Sequence, residues 1–286
     1  AAFGGAILPA VIFYVLNRNE PTSVGWGIPM ATDIAFALAA LSVLGKRVPP
    51  SLKIFLAALA IVDDLIAIGV IALFYSSAIH WNYLLMAGGV LVVLFLFNRF
   101  NLKHIAFYIV PGLFVWYFIH HSGIHATIAG VLVAMLLPLG SGSKESPLER
   151  LEHILTKPVN FFIVPLFALA NTNIRFEAAM VNGLVAPLGA GIILGLFAGK
   201  TLGIFLSTRL AVFLKVGKLP RNASWKHIIG LGMLAGIGFT MSIFISLLSF
   251  NDPIVIAEAK LAILIASVLA TLAGCLFMRS LRQKAK

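Results

Sequence analysis

The chain has 286 residues, of which 60% are hydrophobic and 11% charged, with a mean hydropathy of +1.03. A soluble domain carries roughly 25% charged residues, so secreted, disordered, fibrous and ordinary cytosolic classes are excluded and a polytopic membrane protein is expected. The net charge of +11 is no argument for nucleic acid, because basic residues of membrane proteins gather in cytoplasmic loops, and the single cysteine, Cys275, permits neither an internal disulfide nor a thiolate metal cluster.

A membrane-spanning helix needs about 20 mostly apolar residues. Ten stretches qualify or come close: about 1–17, 24–44, 52–75, 83–98, 104–119, 123–138, 158–173, 184–208, 227–250 and 255–278. Turn signals and charges separate them: Asn17 to Pro21, Gly45 to Pro50, the polar run 140–157, Lys215 to Lys226, and Asn251-Asp252-Pro253. Of the 21 Lys and Arg residues, 17 fall in the loops after the even-numbered spans or in the C-terminal tail, and only Arg18 and Arg175 in the intervening loops. This asymmetry puts the even loops and both chain ends in the cytoplasm. The chain opens abruptly on Ala1-Ala2-Phe3-Gly4, with no initiator methionine and no flanking charge, and reads as a fragment or a trimmed chain.

The second span carries the first functional signal. Pro29 removes a backbone donor, which predicts a helix break near residues 29–33, where Thr32 and Asp33 can satisfy the freed backbone groups. An ionisable group at bilayer depth costs at least ~2.5–3.5 kcal/mol, so Asp33 is a functional candidate. The third span carries Asp63 and Asp64 in the middle of an apolar run from Ile54 to Ile68. Adjacent helical residues point about 100° apart, so at most one of the two faces a given partner squarely. Two carboxylates this close do not both ionise easily in a low dielectric, and the pair can hold either protons or a bare metal ion through hard oxygen ligands.

The middle spans offer less. His120, His121 and His125 surround the turn between the fifth and sixth spans, and His153 lies in a short charged amphipathic stretch with Glu149 and Glu152. Histidine can sense pH near neutrality, although a solvated loop residue is the commoner case; the spacing is not of the zinc type. In the eighth span, Lys200 sits in apolar sequence and must pair or lose its proton; Asp33, Asp63 and Asp64 are the available partners. Gly199-Lys200-Thr201 is no phosphate-binding loop, since it lacks the preceding glycine at the right distance and sits in apolar sequence. Glycines 230, 232, 236 and 238 weaken the ninth span, which can mean either a break or close helix packing. Position favours a break. The first three and last three spans run in opposite senses, and each triplet has its weak span in the middle, as in inverted-repeat secondary transporters. The expected fold is therefore all-α: one transporter domain over 1–286, with a first repeat about 1–76, middle helices about 83–173 and a second repeat about 184–280. Two interrupted helices would cross at the membrane midplane.

These residues resemble the bacterial NhaA-type sodium/proton antiporters over essentially the whole chain. The likeness is strongest at Ala31-Thr32-Asp33-Ile34-Ala35-Phe36-Ala37, Leu59 to Leu65, His125-Ala126-Thr127-Ile128-Ala129-Gly130, Pro165 to Asn171 and Gly236-Ile237-Gly238-Phe239-Thr240-Met241-Ser242. The resemblance implies that Asp64 with Asp63 binds Na+ or Li+ in exchange for protons, and that Asp63 pairs with Lys200. It also implies that Thr32, Asp33, Lys200 and Gly238 belong to the helix crossing, with charges that compensate half-helix dipoles. Glu149, Glu152 and His153 would form a pH-response region, with His125 a lesser member. The family has twelve spans, so two would precede residue 1, together with an extracellular hairpin used for dimerisation and part of the pH-response cluster; any homodimer of this chain would be weakened.

The function expected from the residues and the resemblance together is a pH-regulated, electrogenic exchange of cytoplasmic Na+ or Li+ for external protons across the bacterial inner membrane. The ions and the lipid bilayer are the expected partners, with no enzyme activity, no cofactor and no nucleic acid. The nearest alternative is a sodium-coupled solute symporter of the same architecture, which would accumulate an organic solute. A retinal-type photoreceptor with a Schiff base on Lys200 would be coloured, and a passive channel would need no proton counterflow.

Overall fold

The computed structural model describes residues 1–45, 48–76, 79–139, 146–174 and 179–281. Lys46, Arg47, Lys144, Arg175, Arg282, Lys284 and Lys286, which entered the loop-charge reading, lie outside the described residues. Every regular element among the described residues is helical. In chain order these are α1 (Ala2–Leu16), a 3₁₀ helix (Pro21–Met30), α2 (Ile34–Val43), α3 (Pro50–Phe74), α4 (Trp81–Arg99), α5 (Ala106–His121) and α6 (Thr127–Leu136). After them come α7 (Pro147–Asn171), α8 (Ala179–Gly183), α9 (Pro187–Phe213), α10 (Trp225–Ala235), α11 (Phe239–Ser249) and α12 (Pro253–Ser280).

Helices α3, α4, α7, α9 and α12 are each long and apolar enough to cross a membrane. Two further spans arise if each bent pair counts as one: the 3₁₀ helix with α2, bent by 46°, and α10 with α11, bent by 48°. The remaining expected spans correspond to shorter apolar helices, α1, α5 and α6. At ten residues α6 is about 15 Å long, half the hydrocarbon thickness. Its limits have local causes. Gly123 takes a φ of +87° ahead of it, and Leu137, before Pro138, is extended at ψ 139°. Helix α7 begins eleven residues before the expected span, because Pro147 occupies the first turn and Ser146 with Glu149 forms a capping box. Pro158 lies inside it and cannot donate, and a π turn over Val159–Ile163 follows directly.

The chain forms two compact units, residues 68–167 and residues 1–67 with 168–286. In the first, α4, α5 and α6 pack around Ala87, Leu94, Tyr108, Val115, Ile119 and Ala129. The Asn98 amide donates to the Leu136 carbonyl at 2.7 Å, closing the end of α6. In the second, Leu41, Leu52, Leu56, Ile204, Ile228, Leu231 and Leu234 form the core between α2, the start of α3, α9 and α10. Helices α1 and α9 approach so closely that a Cβ on Gly203 would overlap the Gly4 carbonyl. The 3₁₀ helix also packs through glycine, since a Cβ on Gly25 would lie 2.6 Å from the Phe250 ring. Asn17 ties this region together. Its amide donates to the carbonyls of Phe13 and Pro187, and its oxygen accepts from Thr22.

Candidate functional site

The buried residues of α3 include Leu52, Leu56, Leu59, Ala60, Asp63, Ala67 and Ile71, a stripe at helical spacing. Asp63 is therefore buried for the same geometric reason as the leucines, at 1% exposure. Asp64, about 100° further round, is half-buried.

Two interrupted helices meet beside Asp63. The first breaks after Met30, where Ala31 is extended at ψ 150°, and resumes at Ile34 with Asp33 as N-cap. The second breaks between Ala235 and Phe239. The broken segments bond to each other, with the Asp33 backbone N–H donating to the Ile237 carbonyl at 2.6 Å. Gly238, the N-cap of α11, has ordinary backbone geometry at φ −91°. Space is what demands glycine there, because a Cβ would overlap the Ser242 hydroxyl and come within 2.8 Å of Leu196.

Asp33, 3% exposed, serves two half-helices at once. Its Oδ1 accepts from the Phe36 N–H at 3.2 Å, capping α2. Its Oδ2 accepts from the Thr240 N–H at 3.1 Å and the Thr240 hydroxyl at 2.5 Å, capping α11. A carboxylate at two helix N-termini meets roughly +0.5 of partial charge from each.

Lys200 holds the opposite sign of the same structure. It is fully buried in α9, directly after a π turn over Gly195–Gly199. Its ammonium donates to the Met30 carbonyl, the last of the 3₁₀ helix, and to Asp63 Oδ2 at 2.5 Å. A cation thus meets the negative end of one half-helix. The Thr32 hydroxyl lies 2.9 Å from both Asp63 Oδ2 and the Ala235 carbonyl at the end of α10. Asp63 Oδ2 is thereby claimed by an ammonium and a hydroxyl. Among the described residues, Asp63 Oδ1 and Asp64 Oδ1 are the buried side-chain atoms with no hydrogen-bond partner. Asp63 Oδ1 faces Gly5 of α1, whose Cβ, if present, would lie 3.9 Å away. Hard carboxylate oxygens without protein donors can accept a proton or a small hard cation.

The structure thus brings Thr32, Asp33, Asp63 and Lys200 together, with Asp64 next to Asp63 and Gly238 at the second break. The other sequence candidates lie in the unit 68–167. His125 is half-exposed in the turn before α6, and Glu149, Glu152 and His153 are exposed on the first turns of α7. Glu149 is engaged as a helix cap, its carboxylate accepting from the Ser146 N–H at 2.8 Å.

Sequence reading alone passed over three hydroxyls that build the crossing. Thr240 binds Asp33, the Ser242 hydroxyl donates to the Ile28 carbonyl at 2.8 Å, and Ser267 of α12 accepts from the Phe239 N–H at 3.2 Å. Thr240 stands two residues past Gly238, where the N–H groups of an uncapped N-terminus need acceptors, and that spacing was the available signal; Ser242, a donor to a carbonyl of the other broken segment, carried none. Neither did Ser267.

A family model described as Na+/H+ antiporter 1 matches residues 1–278. The chain is 60% identical over 281 residues to Na+/H+ antiporter NhaA 2 of Flavobacterium johnsoniae, covering 98% of this chain and 69% of that protein. It is 51% identical over 279 residues to NhaA 1 of the same organism, covering 98% and 73%. With NhaA of Nitrobacter hamburgensis it shares 49% identity over 284 residues, covering 98% and 70%. A multi-pass helical chain matched over nearly all its length belongs to the Na+/H+ antiporter 1 family.

Proposed function

We propose that the protein exchanges Na+ or Li+ for protons at Asp63 and Asp64. The observation that carries this reading is a charge count at the crossing. Lys200 neutralises Asp63 at 2.5 Å, and Asp33 is matched by two half-helix N-termini. Asp64 remains, with a buried oxygen that no group among the described residues claims. A carboxylate in that position needs a proton or a monovalent cation, and the two compete for it. In acid the site holds protons; as pH rises it releases them and accepts sodium. Both loaded forms permit the broken-helix unit to change its accessibility, so sodium leaves as protons enter. The two carboxylates of the site can release more protons than the single charge that sodium brings, which makes the exchange electrogenic.

The opposed senses expected for the first and last three spans from the loop charges support an inverted repeat, 1–76 against 184–280 around middle helices 83–173, in one transporter domain. The loop charges support a bacterial inner-membrane location with the C-terminus in the cytoplasm. Glu149, Glu152 and His153, with His125 in a lesser part, are assigned to the pH response, and any homodimer of this chain would be a weakened one. The solute symporter has no observation in its favour.

The test is the internal pH of sealed vesicles containing the protein, recorded after addition of Na+, Li+ or K+ at fixed external pH. Proton movement driven by Na+ and Li+ is expected, with little driven by K+. Absence of any cation-driven proton movement, with the protein shown to be folded and inserted, would overturn the reading.

A further inference from the structure

Helix α10 ends at the crossing, where the Ala235 carbonyl lies 2.9 Å from the Thr32 hydroxyl. Its other end is closed by a capping box in which a histidine stands where glutamate or glutamine is usual. The Ser224 backbone N–H donates to His227 Nδ1 at 3.1 Å, and the Ser224 hydroxyl lies 2.7 Å from the same nitrogen. An imidazole accepts at Nδ1 only while it is neutral, because imidazolium carries a proton on both nitrogens. Imidazole ordinarily changes charge between pH 5 and 8. Protonation would therefore remove the acceptor and place a cation at a helix N-terminus, where the dipole disfavours it.

The neighbouring elements bring no described acid to this end to offset such a charge. Helix α9 brings Arg209, whose guanidinium lies 5.8 Å from the Trp225 ring. The start of α3, tied here by the Ser51 hydroxyl donating to the Arg221 carbonyl, brings Lys53. Helix α12, whose Met278 packs on Gly230, brings Cys275 and Arg279. The connecting segment adds Lys215, Lys218, Arg221 and Lys226.

We propose that His227 is a pH-dependent cap on α10, engaged in alkali and released in acid, which biases the half-helix whose far end holds the crossing. As regulation of the exchange site, the proposal rests on the exchange function above. The test compares wild type with His227→Gln, whose amide oxygen accepts at every pH, by hydrogen–deuterium exchange of the amides of residues 225–229 at pH 8 and pH 5.5, corrected for intrinsic rates. Sodium-driven exchange in vesicles is measured over the same pH range. In wild type, protection is expected to fall about two- to tenfold in acid. The glutamine variant should keep its protection, and its exchange should persist about two- to fivefold more strongly at the acid end of the profile. Equal wild-type protection at both pH values, or a glutamine profile superimposed on wild type, would overturn the proposal. The hydrogen-exchange measurement does not depend on transport, so a protein that moved no sodium would refute the exchange reading and still test the cap.

Discussion

Asp33 and the Asp63–Asp64 pair are acids at similar cost inside apolar helices, but the molecule treats them differently. Both oxygens of Asp33 are occupied by donors from α2 and α11, and its charge answers two helix N-termini. Asp63 gives one oxygen to Lys200 and Thr32, while its other oxygen and Asp64 Oδ1 face no donor among the described residues. A buried carboxylate that is fully hydrogen-bonded is part of the scaffold; one with lone pairs left over has room for cargo. On the proposed function, the difference separates structural charge from transporting charge within one crossing.

The strongest way to break this distinction is to remove the charge that joins the two. Lys200→Ala leaves Asp63 buried without its ammonium, which costs roughly 3–5 kcal/mol for a broken buried pair unless the acid takes up a proton. A marked fall in melting temperature is expected, together with an exchange profile moved to the alkaline side. Lys200→Arg keeps the charge and should be milder, although its fork is bulkier. An alanine variant with wild-type stability and profile would dissolve the pairing. If arginine, which stays protonated, abolished proton coupling while stability held, Lys200 would itself be the proton carrier.

Asp33→Asn sharpens the contrast from the scaffold side. The amide retains one acceptor oxygen where the carboxylate had two, and it lacks the charge. About 1–3 kcal/mol of stability should be lost from charge-assisted capping, read as a lower melting temperature. Sodium-dependent proton release should remain, because no cargo oxygen has been touched. The smallest effect is expected at Ser267→Ala. There the Phe239 N–H loses its acceptor at a cost of roughly 0.5–2 kcal/mol. Hydrogen exchange at residues 239–241 should rise while the cation dependence of exchange stays unchanged.

Much of this crossing was readable from the chain alone, for a physical reason. Charges in apolar runs are too costly to be incidental, so Asp33, Asp63, Asp64 and Lys200 stood out, and Pro29 and the glycines at 236 and 238 marked both breaks. What the residues alone left open was Lys200's partner among three aspartates, since that depends on how α3 and α9 pack. The family resemblance pointed to Asp63, the acid that lies on the buried stripe of α3. Hydroxyls such as Thr240 and Ser267 are ordinary in membrane helices, and their capping role depends on where a second helix breaks. The helices themselves followed hydropathy less well. Hydropathy predicted a span over 123–138, but the left-handed Gly123 and the extended residue before Pro138 reduce it to Thr127–Leu136. It also missed the polar first turns of α7, which a capping box makes helical.

The most direct measurement is proton release from purified, initially protonated protein on addition of Na+ at fixed pH, compared between wild type, Asp33→Asn and Asp64→Asn. Asparagine keeps the volume of aspartate and removes both the charge and the proton. Sodium should displace protons from wild type and from Asp33→Asn, and should displace none from Asp64→Asn. Release from folded Asp64→Asn equal to that of wild type would contradict the assignment of the cation to the Asp63–Asp64 site.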